Sequence, residues 1–200
     1  MKFKAVVLGM ALSALSVGAA HAGSNWIGFS GGAGIPTGDY GDAAATGWHL
    51  GATGTHMVND AWGIGADLAY HAWGGSDDLN AAMEATFGPG SEVSWSAIQA
   101  DVHGVMMVPT QSNMKPYAQV GVGLYNVSAK LTSPMGDDDT SKSKMGFNLG
   151  GGLDFAGSGN THWGLSGAYH IIPAEDDLGS DVNFFSVGMN FKWGLASSGN

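Results

Sequence analysis

The chain of 200 residues contains no cysteine and no arginine, and only 12% of it is charged. Without cysteine there is neither a disulfide scaffold nor a thiolate metal centre. With lysine as its only fixed cation and a formal net charge of -10, the chain would repel a phosphate backbone, so nucleic acid is excluded as a partner. The 34 glycines show no three-residue period, which excludes a collagen-like chain. A hydrophobic content of 44% is too high for a disordered one. No long window repeats apolar residues every three to four positions, so no amphipathic helix is expected.

What is present begins with a leader. Lys2 and Lys4 precede an apolar run from Ala5 to Ala20, closed by Ala20-His21-Ala22. A basic start, a run shorter than the roughly 20 residues that span a bilayer as a helix, and a small-x-small triplet read together as a cleavable signal peptide over residues 1–22. Residues 23–193 then form the folded domain and 194–200 a short tail.

Beyond the leader, alternation dominates. In Trp62 to Tyr70 the apolar set is Trp62, Ile64, Ala66, Leu68 and Tyr70, with Gly63, Gly65, Asp67 and Ala69 on the other face. Period two is a strand with one apolar face. Eight such strands are expected, at 25–36, 47–58, 62–73, 93–108, 116–131, 145–156, 162–173 and 182–193. The connections 59–61, 109–115 and 157–161 are short, whereas 37–46, 74–92, 132–144 and 174–181 are mostly longer. Short turns at one end and long loops at the other describe an up-and-down antiparallel meander. Eight strands of about ten residues close into a barrel without edges.

A soluble barrel with an apolar lumen and a membrane barrel with an apolar exterior both fit that outline, and the side chains decide between them. Trp62, Trp163, Phe155, Phe191 and Trp193 gather toward the short turns; Trp48, Tyr70, Phe147, Tyr169 and Phe185 gather toward the long loops. Two aromatic girdles separated by aliphatic and small residues are what two bilayer interfaces select. The opposite faces carry polar groups, among them Asp67, Gln99, Asp101, His103, Asn148, Asp154, His170 and Lys192. Such groups suit the polar interior of a membrane barrel and not an apolar pocket. The fold class is therefore an all-β, eight-stranded, antiparallel transmembrane barrel.

Three segments carry a resemblance: Lys115-Pro-Tyr-Ala-Gln-Val-Gly-Val-Gly-Leu-Tyr125, Ile35-Pro-Thr-Gly-Asp-Tyr-Gly-Asp42 after a glycine-rich first strand, and Phe184-Phe-Ser-Val-Gly-Met-Asn-Phe-Lys-Trp193. The chain resembles small outer-membrane β-barrel proteins of Gram-negative bacteria, such as the barrel domain of outer membrane protein A and proteins X and W. That resemblance implies periplasmic termini, long loops facing outside, and insertion by the barrel-assembly machinery, which reads an aromatic residue ending the last strand. Here Gly194 to Asn200 follow Trp193, a departure from the pattern. The resemblance implies contact with outer-membrane lipid and lipopolysaccharide, and a monomer.

Of the 17 acidic residues, all but Asp60, Asp67, Asp101 and Asp154 fall in the four long connections. These acids read first as solvated surface. Asp137-Asp138-Asp139, or Asp176-Asp177 opposite, is a candidate site for Ca²⁺ or Mg²⁺, although no loop has the spacing of a calcium loop. If Val58 pairs with Trp62, His49 faces His71 and Thr53 faces Asp67, and two facing imidazoles are a candidate transition-metal pair. Inside the lumen, Asp67, Asp101, His103, Asp154, His170 and Lys192 are expected to form a hydrogen-bonded network, with Lys192 as the one clear inward cation. No cofactor is expected.

Catalysis is not expected. The serine two positions beyond a histidine that marks outer-membrane lipid A deacylases is absent, since the residues two beyond the histidines of the mature chain are Gly51, Val58, Trp73, Val105, Gly164 and Ile172. Ser166, Asp101 and His170 supply the elements of a nucleophilic triad, but all three point into the lumen. Eight strands also leave an interior that side chains nearly fill, so a wide pore is not expected. The expected role is structural or surface-interacting through acidic loops, with a narrow conduit as the alternative and a lipid-modifying enzyme behind it.

Overall fold

Long stretches of alternation let each strand turn one face to lipid and the other to a lumen. The described residues form eight strands: β1 (Ser24–Thr37), β2 (Gly47–Met57), β3 (Trp62–Gly74), β4 (Glu92–Met107), β5 (Met114–Thr132), β6 (Asp138–Ala156), β7 (Thr161–Ile172) and β8 (Val182–Leu195). A computed structural model describes residues 24–174 and 181–195. Each strand pairs antiparallel with the next, and β8 pairs with β1 to close the barrel. At that seam Gly32 lies opposite Gly188. A Cβ on Gly32 would sit 2.0 Å from the Val187 carbonyl oxygen, so the close approach of β1 and β8 requires glycine there. The expected signal peptide lies outside the described residues, and β8 runs to Leu195, two residues past Trp193.

The barrel is inside out relative to a water-soluble fold. Leu149 is 65% exposed and Val120 62%, while Asp101, Asp154, His71 and His170 are buried. The exposed belt carries the expected girdles: Trp62, Trp163, Phe191 and Trp193 toward the short turns, and Trp48 and Tyr70 toward the loops, are all exposed, with Tyr169 packed on Phe185. The eight steps from Trp62 to Tyr70 cover about 26 Å along β3, or about 20 Å along the barrel axis at a tilt of ~40°. That height is of the order of the roughly 25 Å apolar band a barrel of this kind presents to lipid.

Three features differ from the sequence expectation. Helix α1 (Asp39–Ala43) lies in the first long loop and helix α2 (Asp77–Phe87) in the second. The α2 segment carries only a short stripe of Leu79, Met83 and Phe87, half-buried, with none of its residues fully buried. Its helix rests on good helix formers, on Ser76, whose hydroxyl accepts from Leu79 N at 3.3 Å, and on Gly88, which ends it at φ 101°. The third difference is the connection expected at 132–144. The ladder from Leu131↔Asp138 through Tyr125↔Lys144 turns most of it into strand, and β5 and β6, at 19 residues each, stand as a hairpin beyond the belt.

Within the lumen, an apolar cluster fills the loop end. Trp73, Tyr125, Ile172 and Phe184 are 0–3% exposed, and Tyr40 of α1 closes over Trp73 and Trp95 in edge contacts of 5.6 and 5.8 Å. The Trp73 indole donates to the Gly34 carbonyl at 3.1 Å, which locks the largest side chain of this plug in place. Burial pushes the ionisation of the Tyr40 phenol up, so it caps the plug as a neutral ring.

Candidate functional site

Beneath the plug the lumen is polar, and many of its side chains hydrogen-bond to one another. His71 Nε2 donates to Gln99 Oε1 at 2.9 Å, Gln99 donates to Asp101 Oδ2, and Asn148 Nδ2 donates to the same oxygen at 3.1 Å. His103 Nδ1 stands 3.3 Å from Asp67 Oδ2 and 3.5 Å from Asp101 Oδ1. On the far wall His170 meets the Tyr125 hydroxyl at 3.0 Å and the Ser186 hydroxyl at 2.9 Å. One neutral imidazole serves both contacts, with Tyr125 donating to Nδ1 and Nε2 donating to Ser186. Lower down, Lys192 pairs with Asp154 at 2.8 Å and lies over the Tyr117 ring. A cavity of about 390 Å³ runs from His71, His49 and His170 to Ser24, Asn59 and Asp60 at the turn end.

The six lumen residues singled out by sequence thus all face inward, and they form separate groups: Asp67 with Asp101 and His103, Asp154 with Lys192, and His170 with partners of its own. His49 lies opposite His71, and Thr53 opposite Asp67, as the turn at Asn59 dictates. The two imidazoles stack with ring centres 5.6 Å apart, and His71 is further sandwiched against Trp73. Lys192 is not alone as an inward cation: Lys144 is buried and Lys115 lines the cavity. Lys144 escapes the sequence reading because that reading assigns its segment to a loop.

Ser166, Asp101 and His170 do not assemble into a relay, since both His170 nitrogens are taken by Tyr125 and Ser186. Ser186 is the serine that meets an imidazole, and no spacing in the sequence marks it.

At the loop end the acids are spread over several elements. Asp39 and Asp42 lie on α1, Asp77, Asp78 and Glu84 on α2, and all five are exposed. Asp137 pairs with Lys130 at 2.8 Å across the β5–β6 hairpin, both about half exposed. Asp138 and Asp139 are consecutive residues of β6, so their side chains leave opposite faces and the three carboxylates do not converge. Asp176 and Asp177 lie outside the described residues.

The family model described as the outer membrane protein beta-barrel domain matches residues 7–193. No curated protein matches the chain. Among solved structures, a major outer membrane protein from Thermus thermophilus is similar with a TM-score of 0.60 at 11% identity, over 88% of this chain and 100% of that one. Neisserial surface protein A aligns with a TM-score of 0.58 at 16% identity, over 84% of this chain and 96% of that one. Ail, the attachment invasion locus protein of Yersinia pestis, solved in complex with the heparin analogue sucrose octasulfate, aligns with a TM-score of 0.55 at 19% identity, over 86% of this chain and 99% of that one. At these identities the likeness is one of fold.

Proposed function

We propose that this chain, which belongs to the outer membrane protein β-barrel family, acts as a sealed monomeric barrel that holds an acidic surface outside the cell for contact with partners of positive charge. The observation that carries this reading is the plug. Tyr40, Trp73 and Phe184 pack ring against ring across the loop end of the lumen, above the polar cavity, which supports a closed through-path. What then remains for the loop end is surface: α1, α2 and the projecting β5–β6 hairpin, with carboxylates on each.

Such a surface steers cationic partners and repels polyanions, including a sulfated ligand of the kind bound in the Ail structure. The exposed belt rests in outer-membrane lipid, with lipopolysaccharide around the loop-end girdle. The barrel-assembly machinery inserts the chain, in keeping with a β8 that carries Phe191 and Trp193 near its end.

The test is replacement of residues 77–87 by a short Gly-Ser linker, scored in cells for adhesion to cationic surfaces, serum survival and permeability. Loss of adhesion or survival with unchanged permeability and folding supports a surface role. A rise in solute uptake with adhesion intact argues instead for a gated conduit.

A further inference from the structure

We propose that Asp67, Asp101 and His103 form a site for a tetrahedral divalent transition metal ion of the zinc type, reached from the turn end of the lumen. The register sets Asp67 directly opposite Asp101, and His103 follows two residues along β4 on the same face. One ligand atom from each of the three lies within 4.8 Å of the others.

The spacing of the donor atoms suits a metal ion. His103 Nδ1 is 3.3 Å from Asp67 and 3.5 Å from Asp101, the latter a long hydrogen bond, whereas N–H···O bonds cluster near about 2.9 Å. Metal–ligand bonds of ~2.0–2.1 Å at tetrahedral angles put neighbouring donor atoms about 3.3 Å apart. An octahedral magnesium ion at a similar bond length would draw cis donors to about 3.0 Å, and it favours carboxylate and water over imidazole.

The surroundings are built to hold these ligands. Asp101 Oδ2 accepts from both Asn148 and Gln99, and Gln99 is itself held by His71, which leaves Oδ1 turned toward His103. Hydrogen bonds that orient a ligating carboxylate in this way are part of what makes a metal site tight. Glycine supplies the space. A Cβ on Gly65 would lie 2.4 Å from His103 Nε2, and one on Gly123 would lie 2.3 Å from the Asp101 Cβ.

Charge points the same way. Two carboxylates face one imidazole, and a dication between them offsets the cost of burying the pair. The cavity touches both Asp67 and His103. It gives the ion an entrance and leaves the fourth tetrahedral position open to water. The site lies beneath the plug and is independent of the surface role.

Refolded protein in detergent micelles, stripped with a chelator, is titrated with Zn²⁺ by calorimetry and with Co²⁺ by visible absorption. The expected result is one equivalent bound, with the intense d–d bands of tetrahedral Co²⁺. Asp67→Asn and His103→Ala each lower affinity at least tenfold, Asn148→Ala lowers it roughly 10–100-fold, and His49→Ala leaves it unchanged. Heat-modifiable migration on a gel establishes that each variant is folded, and His103→Gln replaces His103→Ala should the latter fail that test. The proposal is overturned by folded native protein that binds neither ion. Binding retained in the folded His103 variant, or abolished by His49→Ala, overturns it as well.

Discussion

Lys192 places its ammonium 2.8 Å from Asp154 Oδ2 and 4.7 Å from the centre of the Tyr117 ring, tying β8 to β6 and β5 across the lower lumen. Asp154 is 2% exposed, so the carboxylate depends on this lysine for compensation. Lys192→Met is expected to cost roughly 3 kcal/mol in reversible urea unfolding, because it strands a buried charge. Adding Asp154→Asn to the same chain is expected to recover most of that loss. Equal stability of the single and double variants would show that the pair carries no such dependence.

Closure rests on the facing glycines of the seam. With only 2.0 Å between a Cβ on Gly32 and the Val187 carbonyl, Gly32→Ala must displace backbone and is expected to cost about 1–3 kcal/mol. Gly167→Ala is the control, since its Cβ would meet nothing nearer than 3.6 Å and should change stability by less than about 0.5 kcal/mol. The fraction of heat-modifiable protein across a denaturant series reads both.

Ser76 joins the first two long loops: its hydroxyl donates to the Asp42 carbonyl at 2.9 Å and accepts from Leu79 N. Ser76→Ala is expected to remove about 1 kcal/mol from the first turn of α2 while leaving barrel melting unchanged. Amide hydrogen exchange should quicken over residues 77–87 and stay slow in the strands. Faster exchange in β3 or β4 would mean that α2 supports the barrel itself.

The absence of cysteine makes the orientation directly readable. Glu84→Cys on exposed α2 is expected to react with a membrane-impermeant maleimide on intact cells. Asn59→Cys, in the turn between β2 and β3, should react only after the outer membrane is permeabilised. The reverse pattern would put the loop end in the periplasm and remove the proposed surface role.

Much of this molecule is legible in its sequence because a membrane barrel obeys a period-two code with few exceptions. Trp62 to Tyr70 alone gives strand, faces and belt, and the short turn at Asn59 is enough to place His49 against His71. The inward polar residues follow from the same alternation. What escapes the code is whatever depends on contacts between distant strands. The pairing of Asp154 with Lys192 depends on the geometry of a closed barrel, and both side chains leave their strands as ordinary inward residues. Trp73 and Phe184, which pack on each other, carry no mark that separates a plug from a girdle until α1 brings Tyr40 over Trp73. Helix α2 is 11 residues long, and its stripe of Leu79, Met83 and Phe87 is only half-buried; strand pairing makes Asp138 to Lys144 one arm of a hairpin.

Planar-bilayer recording tests the sealed lumen most directly. The native protein is expected to give no discrete conductance steps, and the Trp73→Gly, Phe184→Gly double variant, folded by gel migration, is expected to give small ones as the plug opens onto the cavity below. Steps of the same size from the native protein would contradict a sealed barrel and make this chain a conduit.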